Sequence, residues 1–191
     1  MKKLFFFFIL SVNCYFMNNT IALSGVLSVA LSEAQKEYKK AYFAGGCFWC
    51  MEESFDKVNG VIKSVSGYSG GNVKNPTYRQ VVYEDTGHVE AIEVFYDPKL
   101  TSYKELLKVF WANIDPFDAD GQLCDKGKSY RSVAFYQNLK QKKIIENSIL
   151  NIEGRFNKKK VVTLVWEFEK FYPAEDYHQD YYQNNFLRYL A

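Results

Sequence analysis

Cys47 and Cys50 stand where a strand-like run gives way to a helical one, a placement that suits thiol chemistry. Residues 38–43 read as a strand, Ala44-Gly45-Gly46 interrupts it, and Phe48, Met51 and Phe55 then recur at helical spacing. A thiol at the first turn of such a helix faces unpaired backbone N–H groups and the positive end of the helix dipole, and both favour the thiolate. Cys50 follows one turn later, with a Cα separation of ~5 Å on helix geometry, inside the range a disulfide accepts. The pair therefore reads as a nucleophile and a partner able to close a disulfide during turnover. Two blander readings compete: both thiols as small buried hydrophobes, or both as zinc ligands with Cys124 and a histidine. Zinc fits poorly, because a structural site wants a second close-spaced ligand pair and Cys124, His88 and His178 stand far apart. The bulky Phe48-Trp49 insert points to an apolar pocket beside the thiol.

The surrounding pattern is a mixture of strands and helices. Residues 61–68 can form a strand ended by Ser69-Gly70-Gly71, Asn75-Pro76 starts a turn, and the β-prone run 88–96 closes at Asp97-Pro98. In that run Glu90 shares a face with Ile92, Val94 and Tyr96 while Glu93 lies on the other, and periodicity alone leaves open which glutamate faces inward. Ser102 with Glu105 makes a capping box for a helix carrying Leu106, Val109 and Phe110. Residues 114–128 form a long polar loop, a length that is uncommon unless functional or disordered. Residues 130–136 are strand-like, 138–152 helical and 161–168 alternate as a further strand. No repeat or composition break divides the chain, which reads as one compact domain of packed strands and helices.

Composition narrows the function classes. The 191 residues carry 24 Lys+Arg against 22 Asp+Glu, a net charge of +2 that offers no concentrated basic field for nucleic acid. Aromatics reach 18%, with 15 Tyr and 16 Phe, and the Tyr excess is available to line a site. Lys2 and Lys3 precede an apolar run over 4–10, and no acidic residue appears before Glu33, a signal-peptide profile. The run breaks at Asn13, short of the about 18 apolar residues of a membrane span, so a permanent anchor is the weaker reading. Residues 1–30 are the expected leader, cleaved after Ala22 or Ala30, and 31–191 the catalytic domain. Removing Cys14 with the leader leaves three cysteines in an oxidising, periplasmic setting, an odd number that argues against a purely structural disulfide framework.

Gly46-Cys47-Phe48-Trp49-Cys50 resembles the signature of the A-type peptide methionine sulfoxide reductases. Six further blocks match that family in order: Gly67-Tyr68-Ser69-Gly70-Gly71, Asn75-Pro76-Thr77-Tyr78, Thr86-Gly87-His88-Val89-Glu90, Tyr96-Asp97-Pro98, Cys124-Asp125-Lys126-Gly127-Lys128-Ser129-Tyr130-Arg131 and Tyr172-Pro173-Ala174-Glu175-Asp176-Tyr177-His178-Gln179. The resemblance implies an α+β fold, a ferredoxin-like sandwich with a mixed sheet and peripheral decorations. It also implies reduction of methionine-S-sulfoxide, free and in proteins, with no bound cofactor or metal and with a thioredoxin or other dithiol as external reductant.

Residue types agree with that chemistry. A sulfoxide needs a soft nucleophile for sulfur, an acid for the departing oxygen and an apolar seat for the methyl group; Cys47, Glu90 and Phe48-Trp49 supply these in turn. The family pattern selects Glu90 over Glu93, and burial would keep its proton available. Tyr78 and Tyr130 match tyrosines that hydrogen-bond the substrate oxygen, and Asp125 matches an Asp that helps position substrate and cysteine. His88 and His178 read as structural. In the implied cycle Cys47 becomes a sulfenic acid, which a second thiol resolves to a disulfide. The chain ends at Leu190-Ala191 without the cysteine-bearing tail of some relatives, so Cys50 is the first choice as resolving cysteine, on proximity, and Cys124 the second. A monomer satisfies everything the sequence requires. The alternative is a general thiol–disulfide oxidoreductase using Cys47 and Cys50.

Overall fold

The computed structural model describes residues 38–185; the expected leader over 1–30, with Cys14 and both cleavage positions, lies outside them. In chain order the elements are β1 (Lys39–Ala44), α1 (Phe48–Asp56), β2 (Val61–Ser69), α2 (Tyr78–Tyr83), β3 (Val89–Tyr96), α3 (Tyr103–Ala112) and the two-residue strands β4 (Gly121–Gln122) and β5 (Asp125–Lys126). Then come β6 (Val133–Tyr136), α4 (Leu139–Arg155), β7 (Leu164–Glu167), β8 (Phe171–Pro173) and α5 (Tyr181–Asn184). The main sheet runs β7-β6-β1-β3-β2-β8. Its four inner strands are antiparallel, β7 joins β6 in parallel, and β8 joins β2 antiparallel. With α1 linking β1 to β2 and α3 lying between β3 and β6, the inner order is the ferredoxin-like one, with β7, β8 and the β4–β5 hairpin as decorations.

The two central strands explain the packing. Phe43 of β1 meets Phe55 of α1 at 5.2 Å between ring centroids, and Tyr103 and Phe110 of α3 at 5.7 and 5.2 Å. Ile92, Val94 and Tyr96 of β3 and Ile145 of α4 complete this helix-side core. Fully burying side chains of this size contributes about 1.5–3 kcal/mol each. The opposite face buries Tyr42, Ala44, Val89, Ala91, Val133 and Phe135, and it is covered by the aromatics Trp166, Phe168 and Phe171. Tyr42 and Phe168 stack at 3.6 Å. Glu93 is buried on this face too, accepting from the Tyr42 hydroxyl at 2.6 Å and pairing with Lys40 at 3.0 Å.

Several sequence expectations are corrected. Ser102 does cap α3, but Glu105 does not close the box; its carboxylate pairs with Lys108 one turn on. The reciprocal box forms instead at α2, where Thr77 and Gln80 cap one another. Residues 114–128 are not an open loop. Asp115 and Asp118 accept from the N–H groups two residues on, Gln122 bonds both the N–H and the C=O of Asp115, and β4 and β5 form a hairpin. The polar side chains there satisfy backbone groups locally. The run 130–136 begins with a 3-10 turn over Lys128–Tyr130 and becomes strand only at Val133. The run over 161–168 is shorter as a strand than its alternation suggests.

Gly67 pairs with Pro173 in the β2–β8 ladder, and a Cβ there would collide with the Tyr172 carbonyl oxygen and the Phe171 ring. Gly67→Ala is expected to cost about 1–3 kcal/mol, as overpacking does, seen as a lower urea midpoint at unchanged slope. An unchanged midpoint would show that β8 can move away freely.

Candidate active site

The turn between β1 and α1 carries the reactive motif, and the hairpin is folded against it. Gly46 has φ +80°, a left-handed conformation that favours glycine, and a Cβ there would lie 2.6 Å from the Gln122 Cβ. Cys47 occupies the N-cap position of α1, half-buried, without a side-chain capping bond. The cap comes from another strand: the Phe48 N–H donates to Glu90 Oε2 at 3.0 Å. Glu90 is 1% exposed.

Burial pushes the Glu90 carboxyl up to about 8 and the Asp125 charge adds to the rise, outweighing the bonds from the Phe48 N–H and the Tyr130 hydroxyl. At neutral pH the carboxyl beside Cys47 therefore keeps its proton. Cys47 departs from expectation. Its thiol is held above the ordinary thiol value by its hydrogen bond with the Cys50 thiol, by burial and by the nearby Cys50 and Glu90 groups, and the Cys50 backbone N–H only partly offsets them. The helix terminus favours the thiolate, but the neighbouring Cys50 thiol and the poorly solvated position win. Cys50 is exposed and within reach of Cys47, whereas Cys124 is exposed in the turn joining β4 to β5; all three are reduced thiols.

Tyr78 and Tyr130 approach from different elements, the first residue of α2 and the 3-10 turn before β6. Their hydroxyls lie near one another, and that of Tyr130 also lies near the Glu90 carboxyl, so that each acts on the other's hold on its proton. Burial raises both phenols, so both stay protonated donors at neutral pH. Asp125, half-buried on β5, acts on Glu90 and Tyr130 through its charge.

The aromatic part is larger than Phe48 and Trp49. Phe48 is 1% exposed and forms a floor, with Tyr68, Tyr78 and His178 around it at centroid distances of 6.0, 6.3 and 5.0 Å. Trp49 is half-buried and lies flat on Tyr181 at 3.7 Å. The two histidines part company. His88 is a structural pin, accepting from the Gly71 N–H through Nδ1 and donating from Nε2 to the Val73 carbonyl. His178 is buried against Phe48, Trp49 and Tyr78, and neither ring nitrogen has a hydrogen-bond partner. Burial lowers its basicity. His178, which the sequence reading takes as structural, thus stands against the aromatic floor, and Tyr68 and Tyr181 join it there without having been singled out, although Tyr68 sits inside a quoted block. Among the described residues, no group of three or more His, Cys, Asp or Glu is placed to hold a metal ion.

Comparison with known proteins gives a consistent result. The family model described as peptide methionine sulfoxide reductase matches residues 39–191. A peptide methionine sulfoxide reductase MsrA of Listeria monocytogenes is 50% identical over 157 residues, 81% of this chain and 88% of its own length. Among solved structures, methionine sulfoxide reductase A of Corynebacterium diphtheriae matches with TM-score 0.72 at 28% identity, covering 80% of this chain and 77% of that one. Reduced Mxr1 of Saccharomyces cerevisiae matches with TM-score 0.70 at 29% identity, covering 79% and 87%. A further structure holds Mxr1 in complex with Trx2.

Proposed function

The chain belongs to the peptide methionine sulfoxide reductase family, and on that premise we propose how its own residues divide the work and what they act on. The substrate is the S epimer of methionine sulfoxide, in oxidised proteins and as the free amino acid. Cys47 attacks the sulfoxide sulfur, Glu90 gives its proton to the oxygen, Tyr78 and Tyr130 hold that oxygen, and Phe48 and Trp49 seat the methyl group. Asp125 adds its charge to the burial that keeps Glu90 protonated, and helps fix the substrate. The observation that carries this reading is the Glu90 carboxyl, buried and bonded to the N–H next to Cys47, a setting that raises it to about 8.

Because the resting Cys47 thiol is neutral, it loses its proton as it attacks, with the Cys50 N–H and the helix terminus favouring the sulfur as charge develops. The oxygen ends on Cys47 as sulfenic acid; methionine sulfur gains the two electrons that Cys47 loses. The Cys50 thiol then displaces water to form the Cys47–Cys50 disulfide, and an external dithiol reduces it by exchange. The nearness of the Cys50 thiol to Cys47 supports Cys50 over Cys124 for that step. The yeast relative's complex with Trx2 supports a thioredoxin-like donor. The charged and apolar segments of residues 1–30 support export, so that donor would work in the periplasm, on a monomeric enzyme.

The test is reduction of a methionine-S-sulfoxide peptide with dithiothreitol, with the R epimer in parallel. Activity with S alone is expected, and activity with R alone or with neither would overturn the assignment. Reduction of insulin disulfides without sulfoxide reduction would instead favour disulfide exchange. Cys50→Ser should complete one turnover but slow recycling by thioredoxin about tenfold or more; an unaffected steady state would move the resolving role to Cys124.

A further inference from the structure

Tyr78 must hold its hydroxyl against Tyr130, yet the element that carries it is weak. The α2 helix is capped by Thr77 and Gln80 but has only six residues, one of them buried, and no acidic residue in its first turn. A helix this short does not hold its own geometry in water. The tether comes from the far end of the chain. The Tyr78 backbone N–H donates to Glu175 Oε1 at 2.9 Å, and the Tyr68 hydroxyl donates to Glu175 Oε2 at 2.8 Å. Tyr68 is fully buried beneath Phe48, so one carboxylate joins β2, α2 and the segment that carries His178. His178 is fixed in the same turn, its N–H donating to the Glu175 carbonyl at 2.9 Å. Burial pushes the Glu175 carboxyl up, but the hydrogen bonds from Tyr78, its own N–H and Tyr68 outweigh it and keep it below the ordinary glutamate value.

We propose that Glu175 is a positioning residue for sulfoxide reduction: bridging Tyr78 and Tyr68, it fixes the Tyr78 hydroxyl beside Tyr130 and Glu90 and the wall that His178 presents to Phe48. This rests on the role given to Tyr78 above and extends it to a residue that touches neither the substrate nor Cys47.

The test is a double-mutant cycle on the full chain with the methionine-S-sulfoxide peptide and dithiothreitol. Glu175→Ala should lower kcat/KM about 10- to 100-fold, the scale of a slightly misplaced reacting group, with most of the loss in kcat. In a Tyr78→Phe background, which lacks the hydroxyl to be positioned, the same change should cost less than about threefold. Glu175→Gln should recover most of the loss, because its Oε1 can accept from the Tyr78 N–H while its Nε2 donates to the Tyr68 oxygen. If Glu175→Ala does not fold, Glu175→Asp takes its place: it keeps the charge but is one methylene short, and should show the same non-additivity. Equal losses in both backgrounds, or no loss in either, would overturn the positioning role while leaving the reduction intact. A wild-type protein inactive on the peptide would overturn both.

Discussion

Cys47→Ser is expected to abolish methionine sulfoxide reduction, with a loss of about 10⁴-fold or more under dithiothreitol. The hydroxyl that replaces the thiol is a hard, weakly acidic oxygen, unable to expand its bonding toward sulfur or to carry oxygen as a sulfenic acid. The packing reason for the loss is small. Cys47 is half-buried at the N-cap of α1, and Ser is both close in volume and a preferred N-cap residue. The thermal midpoint should therefore stay at or slightly above that of the wild type while activity disappears. Thiol titration supplies a second readout: the wild type should lose its Cys47 and Cys50 thiols together on a single turnover without reductant, whereas Cys47→Ser should lose none. A variant that retained measurable turnover with the S epimer would remove Cys47 as nucleophile and leave Cys50 as the candidate.

That expectation does not depend on a resting thiolate. The helix terminus alone would depress the thiol, but the neighbouring Cys50 thiol, whose nearness the spacing already displays, raises it, and so does the Glu90 carboxyl delivered from β3, which no local pattern displays. A neutral thiol at rest also limits wasteful oxidation, since thiolate character governs reactivity with oxidants.

What could be read from the chain follows the range of the interactions involved. The strand–turn–helix around Cys47 is local, and its apolar spacing and glycines were sufficient. The four inner strands were legible for the same reason, through runs of β-prone residues. Their order is set by pairing between distant segments, so it came from the resemblance. Glu90 and Glu93 show the limit most clearly. Periodicity placed them on opposite faces, yet both are buried, because β3 is central and is covered on both sides; only their partners, Phe48 N–H against Tyr42 and Lys40, tell them apart. The hairpin of β4 and β5 escaped notice because Leu123-Cys124 is not a usual turn pair, Leu123 itself having φ +48°. Three-residue β8 is too short for any period. Glu175 and His178 gain meaning only from contacts made across about a hundred residues of chain.

The partners of the two glutamates yield the second large prediction. Glu90→Gln should lower kcat about 10²- to 10⁴-fold, the usual contribution of a positioned acid, with little change in KM. The amide oxygen can still accept from the Phe48 N–H, so the α1 terminus and the aromatic floor are kept while the transferable proton is lost. The wild-type pH profile should fall as pH rises through about 8, where the buried carboxyl ionises, and the variant should lose that descending limb. Stability moves in the same sense. A carboxyl raised in the folded state contributes stability that is fully present below its unfolded value, about 4.3, and is lost as pH rises toward about 8. Glu90→Gln should therefore gain stability relative to the wild type across that window, so an inactive variant with a higher melting midpoint at pH 8 is the expected pairing. Glu93→Gln is the control. It breaks the Lys40 pair on the far face of the sheet, and should reduce stability while leaving the rate and its pH profile those of the wild type. If Glu93→Gln lost the alkaline limb and Glu90→Gln kept it, the acid would lie on the other side of β3, and the roles given to Tyr130 and Asp125 through Glu90 would fall with it.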